Sequence, residues 1–269
     1  MILNIKPMSE KAYRALDSTH IYASMLKTLS SQSAKHLGIR KESSSMSFGT
    51  AVHMYLLEPD KFEECYAVIP TLPDFQPISD KTKKDYAVGG KGKNYKATKE
   101  YKQQRANFLE PLGFYLDDDS ILLHDTKEVV SEADMERLRN IKRSLKATPK
   151  AKALYERFIV KGTSEMSVVE GAMPFTAGTA PAKARLDNFV VEGDVGYVVD
   201  VKSCQSAKKH SFKYDSKKWG YDIQGAFYHD LVSYKYRNML KEIRFIFCAV
   251  ETAPPYNVGW YEMGSEMYD

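Results

Sequence analysis

Two apolar segments in the C-terminal half constrain the fold more than any other feature of the sequence. Residues 184–191 and 197–203 read as strands, and the turn-forming run 192–195 separates them. An antiparallel hairpin with this turn pairs Val191 with Gly196, and counting outward from that pair places Asp187 opposite Asp200. Directly opposed side chains have Cβ atoms roughly 4.5–5.5 Å apart, and two like charges there are destabilising. The hairpin therefore predicts a carboxylate pair that something must compensate.

A lysine lies beside this pair. Asp200 and Lys202 are two apart in one strand, so their side chains share a face, while Val199 and Val201 point to the other, apolar face. A divalent cation would offset the repulsion, because hard Mg²⁺ or Mn²⁺ prefers oxygen ligands. Lys202 could then stabilise a developing anion, as metal-assisted phosphodiester hydrolysis requires. A surface ion-pair cluster fits the same spacing, and spacing alone does not separate the two interpretations.

The remaining pattern predicts an α/β protein with a mixed α+β sheet. Residues 165–170, 243–250 and 257–263 read as further strands, and an amphipathic helix spans about 219–236. Residues 1 to about 160 form a mainly helical lead-in, in which Pro59 ends a helix over 45–58. We expect one domain over residues 1–269, with the mixed sheet and its helix in residues 161–269.

Composition excludes several classes of protein. The 269 residues are 43% apolar and 28% charged, which is typical of a globular protein with a sizeable core. The three cysteines form no CxxC pair, which argues against a disulfide framework or a zinc knuckle. No apolar run approaches the roughly 18 residues of a membrane span. We therefore expect a cytoplasmic protein without a membrane partner.

Two basic segments could contact a polyanion. Residues 80–105 carry nine Lys or Arg against three acids, around the glycines of a GGKGKN run, and residues 208–218 carry five lysines against Asp215. The net charge of +4 permits such a partner without requiring one. Lysine-rich stretches are also common on solvated faces. The predicted DNA-contacting residues are Lys91, Lys93, Lys96, Arg185, Lys208 and Lys209.

Several motifs in order resemble a known nuclease family. The segment 48–62 is similar to FGTAVHxxLLEPxxF, and residues 24–27 are similar to the entry motif that precedes it. Residues 183–187 resemble a K-x-R-x-D strand, residues 199–203 a D-x-K strand, and Gln224 with Tyr228 a QxxxY helix. Together they resemble the exonuclease VIII (RecE) group of the RecB-like PD-(D/E)xK superfamily, from about residue 9 to 263. The D-x-K tripeptide alone is common by chance, whereas the ordered set is specific.

The resemblance implies a restriction-endonuclease-like core and assigns roles to individual residues. His53, Asp187 and Asp200 would be ligands of Mg²⁺, or of Mn²⁺ as a substitute, with the Val201 carbonyl completing the shell. Lys202 would be the catalytic lysine. Glu165 matches a further acidic residue of the site, and Gln224 with Tyr228 would lie beside the scissile phosphate.

The resemblance also implies a biological setting. Members of the group degrade duplex DNA ends, commonly from the 5′ strand, and leave 3′ tails for strand annealing. They act as ring-shaped homo-oligomers with a RecT-like single-strand annealing protein, in phage or prophage recombination inside a bacterial cell. Such nucleases usually continue past the last strand matched here, whereas this chain stops at Asp269, so ring assembly stays open. An inert DNA-binding scaffold, an endonuclease and a single-strand nuclease remain alternatives.

Overall fold

The computed structural model describes residues 8–32, 35, 37, 44–77, 96, 98–117, 120–123 and 127–264. The chain divides into two compact units, Met1–Pro59 with Arg137–Asp269 and Asp60–Glu136. Within the described residues, no helix is both long and apolar enough to cross a bilayer. The described helices are α1 (Glu10–Arg14), α2 (Ala23–Ser31), α3 (Ser44–Leu57), α4 (Pro59–Cys65), α5 (Lys99–Leu109), α6 (Glu132–Ser144), α7 (Pro149–Tyr155), α8 (Lys209–Lys218) and α9 (Tyr221–Tyr236).

The described strands form one large sheet and two small ones. The large sheet has the order β5-β6-β7-β8-β9, in which β7 and β8 are parallel and the other neighbours antiparallel. The strands are β1 (Tyr66–Ile69), β2 (Phe114–Asp117), β3 (Ser120–Leu123), β4 (Glu128–Ser131), β5 (Thr163–Phe175), β6 (Gly178–Glu192), β7 (Val195–Cys204), β8 (Glu242–Glu251) and β9 (Val258–Glu262). This mixed α/β architecture confirms the predicted fold class.

Helix α9 connects the parallel strands β7 and β8 and covers the large sheet. Its buried residues Phe227, Leu231 and Val232 share one core with Phe245 and Phe247 of β8. Burial of side chains of this size stabilises a fold by roughly 1.5–3 kcal/mol each. The crossover helix is thereby fixed against β8, the parallel neighbour of the strand β7 that carries the predicted D-x-K residues.

The predicted hairpin register is confirmed. Val191 pairs with Gly196, and the ladder continues outward to Asn188 with Val199. Val199 and Val201 are fully buried, as expected of the apolar face. The hairpin therefore brings Asp187 and Asp200 to the place that the sequence predicts.

Three local expectations differ from the structure. The strand expected over 165–170 belongs to a hairpin of β5 and β6 that runs on to Phe175 and Gly178. The basic segment over 208–218 is itself helical over Lys209–Lys218, which form helix α8, and does not only lead into the next helix. The described part of the unit Asp60–Glu136 contains four strands of four residues each, which are too short for a period-two pattern to stand out in a stretch expected to be mainly helical.

Candidate active site

Three carboxylates lie on three neighbouring strands. Ser164 pairs with Asn188 and Met166 with Leu186, so the β5–β6 register sets Glu165 opposite Asp187. On the other side of β6, the pairing of Asn188 with Val199 leaves Asp187 next to Asp200. The result is an acidic row, Glu165–Asp187–Asp200, that crosses the sheet.

Asp187 lies directly beyond the last β6–β7 pair, which is Asn188 with Val199. Its Oδ2 accepts a hydrogen bond from the backbone N–H of Val201 at 2.7 Å, in place of a strand partner. The same oxygen lies 3.3 Å from Nδ1 of His53 on α3. A carboxylate held by a backbone amide keeps a fixed direction. Asp187 is thus oriented toward both the histidine and β7.

Gly49 explains how α3 comes close enough to deliver His53. A Cβ at Gly49 would lie 3.3 Å from the Ser203 hydroxyl on β7, tighter than most real contacts of a Cβ atom. His53 follows one helical turn later and therefore lies on the same face of α3. The small residue in the FGTAVH segment permits a close helix–strand approach that places the imidazole over the acidic row.

Glu165 has an unusual backbone and an unusual pKa. Its φ of 50° lies in the left-handed region, which is costly for a residue with a Cβ and is found most often at functional sites. Burial, together with the negative charges of Asp187 and Glu58, raises the pKa of Glu165 to about 8. The motif resemblance implies a place for Glu165 in the site but no role for Glu58.

The donor set fits a hard or borderline divalent cation. One ligand atom each from His53, Glu165 and Asp187 lies within 4.8 Å of the other two. Imidazole and carboxylate ligands suit Mg²⁺ or Mn²⁺ when most of them are oxygens. The predicted ligand set contained Asp200 in place of Glu165. The carbonyl of Val201 stays a predicted ligand, since the described contact of Val201 is made by its N–H.

Asp200 is held by two other side chains. Its Oδ2 lies 2.5 Å from Nζ of Lys202, and its Oδ1 accepts a hydrogen bond from Nε2 of Gln224 at 2.7 Å. Asp200 is 1% exposed. Burial raises its pKa, and Lys202 opposes that shift. Burial alone would lower the pKa of Lys202, but Asp200 and Asp187 outweigh it and raise that pKa, so the lysine stays protonated.

Helix α9 presents the QxxxY pair. Gln224 and Tyr228 are four residues apart and line one side of a cleft beside the acidic row. Between them Gly225 allows close packing, since a Cβ there would lie 2.6 Å from Sδ of Met263. Burial raises the pKa of Tyr228 well above its usual value, so its hydroxyl keeps its proton.

Two lysines near the site have contacts that the sequence does not predict. Lys27 of α2 donates a hydrogen bond to Oε1 of Gln224 at 2.7 Å. Lys183 of β6 is fully buried, donates to the carbonyl of Tyr13 at 2.7 Å and forms an ion pair with Asp17. Both belong to motifs noted in the sequence. Their partners lie about 160–200 residues away along the chain, so no local pattern could reveal them.

Four of the six predicted DNA-contacting residues lie within the described residues. Arg185 is bound by Glu10, by the carbonyl of Met8 and by Ser167. Lys208 and Lys209 are exposed at the start of α8, and Lys96 is exposed in the smaller unit. Lys91 and Lys93 lie outside the described residues. DNA contact by all six stays a prediction.

A family model and a solved structure are similar to most of this chain. Residues 18–269 match the model of a family described as a PDDEXK-like domain of unknown function (DUF3799). A crystal structure of a candidate exonuclease from Eubacterium rectale superposes with a TM-score of 0.54 at 13% identity, over 97% of this chain and 80% of the other. At this identity the likeness shows the fold alone.

A second solved structure is similar over only part of this chain. The crystal structure of SSO0001 is 14% identical and matches over 48% of this chain and 58% of the other, with a TM-score of 0.28. A search of the curated proteins gives no significant match.

Proposed function

Because the chain belongs to the PDDEXK-like family DUF3799, we propose that it is a metal-dependent nuclease that hydrolyses DNA phosphodiester bonds from duplex ends. The observation that carries the proposal is the acidic row Glu165–Asp187–Asp200 with Lys202 paired to its last member. Carboxylates of one row repel one another in the absence of a cation. A protein that retains such a row beside a protonated lysine is equipped for phosphodiester hydrolysis.

The cation would be Mg²⁺, with Mn²⁺ as a substitute. His53, Glu165 and Asp187 would hold it, and Asp200 and the carbonyl of Val201 are further proposed ligands. When bound, such a cation supplies Lewis-acid activation and neutralises charge at the phosphate.

The side chains of the chain itself supply the remaining chemistry. Lys202 carries a full positive charge, held in place by Asp200, and would stabilise the negative charge that develops on the phosphoryl oxygens. Gln224 donates a hydrogen bond to Oδ1 of Asp200 and thereby fixes the carboxylate, so that Oδ2 stays directed toward Lys202. Tyr228 keeps its proton and could donate a hydrogen bond to a bound phosphate. These groups are positioned before substrate arrives, which lowers the cost of reorganisation.

The finer part of the proposal rests on the motif resemblance. We propose 5′ to 3′ digestion that leaves 3′ tails for a RecT-like annealing protein, with a homo-oligomeric ring as the active form. The similar fold of a protein described as a candidate exonuclease supports the choice of an end-dependent enzyme. Lys96, Arg185, Lys208 and Lys209 would add phosphate contacts, each with its own salt dependence.

Digestion of linear duplex DNA tests this function. The DNA is labelled separately at its 5′ and 3′ ends and incubated with Mg²⁺ or with EDTA, beside a covalently closed circle and a single strand. We expect Mg²⁺-dependent loss of the linear duplex alone, with the 5′ label released as mononucleotide. Cleavage of the circle would favour an endonuclease, and preference for the single strand a single-strand nuclease. Folded, metal-loaded protein that hydrolyses none of them would be a DNA-binding scaffold.

A further inference from the structure

A cleft of about 250 Å³ opens on the side of Gln224 away from Asp200. Its walls come from α1, α2, β6 and α9, and its lining includes Tyr13, Tyr22, Lys27, Arg185 and Tyr228. The cleft and the acidic row therefore share Gln224 as their common wall.

Gln224 has only one chemically consistent orientation. Lys27 can only donate hydrogen bonds, so it requires the amide oxygen, which lies 2.7 Å from its Nζ. The amide nitrogen then faces the carboxylate of Asp200, also at 2.7 Å. The series Lys27–Gln224–Asp200–Lys202 thus connects two ammonium groups through one amide and one carboxylate.

The two ends of this series are not equivalent. Lys202 is neutralised by Asp200, and Arg185, another cation of the cleft, is neutralised by Glu10. Within the part of the chain that the structure describes, Lys27 forms no ion pair, and its one hydrogen-bond partner is the neutral amide of Gln224. The ring of Tyr221 lies 5.3 Å from its Nζ and adds only a cation–π contact.

The charge of Lys27 is costly in this position. Burial, followed by repulsion from Lys202, lowers its pKa to about 8, although attraction from Asp200, Asp222 and Asp187 opposes the shift. A partly buried ammonium without a carboxylate partner is a site for an anion. The anion that the proposed function brings to this place is a backbone phosphate of the substrate strand.

We propose that Lys27 binds a backbone phosphate of DNA in this cleft, adjacent to the phosphate that is hydrolysed. This inference rests on the proposed function for the identity of the ligand. A bound phosphate would complete the neutralisation of Lys27 while leaving Gln224 oriented toward Asp200. Lys27 would then act in substrate binding, and Gln224 would connect the bound phosphate to the acidic row.

Salt-dependent DNA binding tests the contact without any hydrolysis. A fluorescent linear duplex is titrated in EDTA at several salt concentrations with wild type, Lys27→Gln and Lys27→Arg. Each neutralised phosphate contributes about 0.9 to the slope of log K against log salt. We expect Lys27→Gln to weaken binding several-fold and to reduce the slope by about 1. Lys27→Arg keeps the charge and should keep the slope.

Lys241→Gln is the matched control. Lys241 is exposed and pairs with Asp194 at the turn end of β7, opposite to the end that carries Lys202. Its removal takes away the same charge and should leave the slope unchanged. Circular dichroism and thermal unfolding verify that each variant is folded.

The outcomes separate this inference from the proposed function. The phosphate contact is overturned if Lys27→Gln leaves the slope of log K against log salt unchanged. It is also overturned if the wild-type protein does not bind the duplex. Loss of turnover with an unchanged slope would also overturn it and would make Lys27 a positioning residue for Gln224. A reduced slope in a protein that hydrolyses no DNA would support the contact while the nuclease proposal fails.

Discussion

The Asp187 carboxylate accepts the backbone N–H of Val201 at 2.7 Å, at the point where β6 and β7 stop pairing. The side chain of one strand therefore takes the hydrogen bond that the next strand pair would have made. This contact satisfies a buried amide and holds Asp187 between Glu165 and Asp200. The acidic row is thus built into the sheet itself.

Asp187→Asn and Asp200→Asn should each weaken Mg²⁺ binding by about tenfold or more, which is about 1.4 kcal/mol. An amide oxygen at position 187 can still accept from Val201, so the fold should survive. Without metal, Asp187→Asn relieves repulsion in the row, whereas Asp200→Asn removes the carboxylate that pairs with the buried Lys202 and should lower stability. Isothermal titration calorimetry measures the affinity, with Asp194→Asn as a control at the exposed hairpin turn. Unchanged affinity in both variants would exclude a cation shared by these carboxylates.

Lys202→Met should reduce hydrolysis at least about 100-fold, because a preorganised positive charge at the phosphate is lost. Mg²⁺ affinity should persist or rise, since the variant removes a cation 2.5 Å from Asp200. Single-turnover rates on linear duplex DNA measure the effect, with Lys241→Met as the charge-matched control. Turnover near the wild-type rate would remove Lys202 from the mechanism.

The stability of metal-free protein should decrease with rising pH. The pKa of Glu165 is raised from 4.5 to about 8 by burial and by neighbouring acids. A raised folded-state pKa means that the folded state binds the proton more tightly, so its contribution is full at low pH and is lost as pH rises through about 8.

Urea unfolding in EDTA at several pH values between about 5 and 8 measures this contribution. Glu165→Gln carries no titrating group and should show a flatter decline than wild type. Equal pH dependence in the two proteins would contradict the assigned pKa.

Lys183→Met should lower the free energy of unfolding by about 2 kcal/mol, because it removes the buried ammonium group that contacts Asp17 and the carbonyl of Tyr13. Lys235→Met, which breaks a partly exposed pair with Glu170, should cost less than about 1 kcal/mol. Denaturant titration compares the two. Equal losses would show that Lys183 does not anchor the N-terminal segment.

The sequence predicts much of the β6–β7 hairpin because the information that sets it is local. A turn between two apolar segments sets the register, and the register alone places Asp187 next to Asp200. The periodicity of residues 219–236 likewise predicts helix α9 and the common side of Gln224 and Tyr228. In both cases neighbours along the chain determine the geometry.

The parts that escape prediction depend on distant contacts. The interaction of Lys27 with Gln224 joins α2 to α9, and that of Lys183 with Asp17 joins the N-terminal segment to β6. Glu165 reaches the row through a left-handed backbone that no residue preference indicates for glutamate. Its place among the candidate ligands follows from the β5–β6 register, whereas the sequence placed Asp200 there.

The most direct test of the central claim is the rate of linear duplex hydrolysis as Mg²⁺ is titrated into wild type and Asp187→Asn side by side. The acidic row predicts hydrolysis that saturates with Mg²⁺ in wild type and is nearly absent in the folded variant at the same Mg²⁺ concentrations. Wild-type rates in Asp187→Asn, or hydrolysis that persists in EDTA, would show that the row is not the hydrolytic centre.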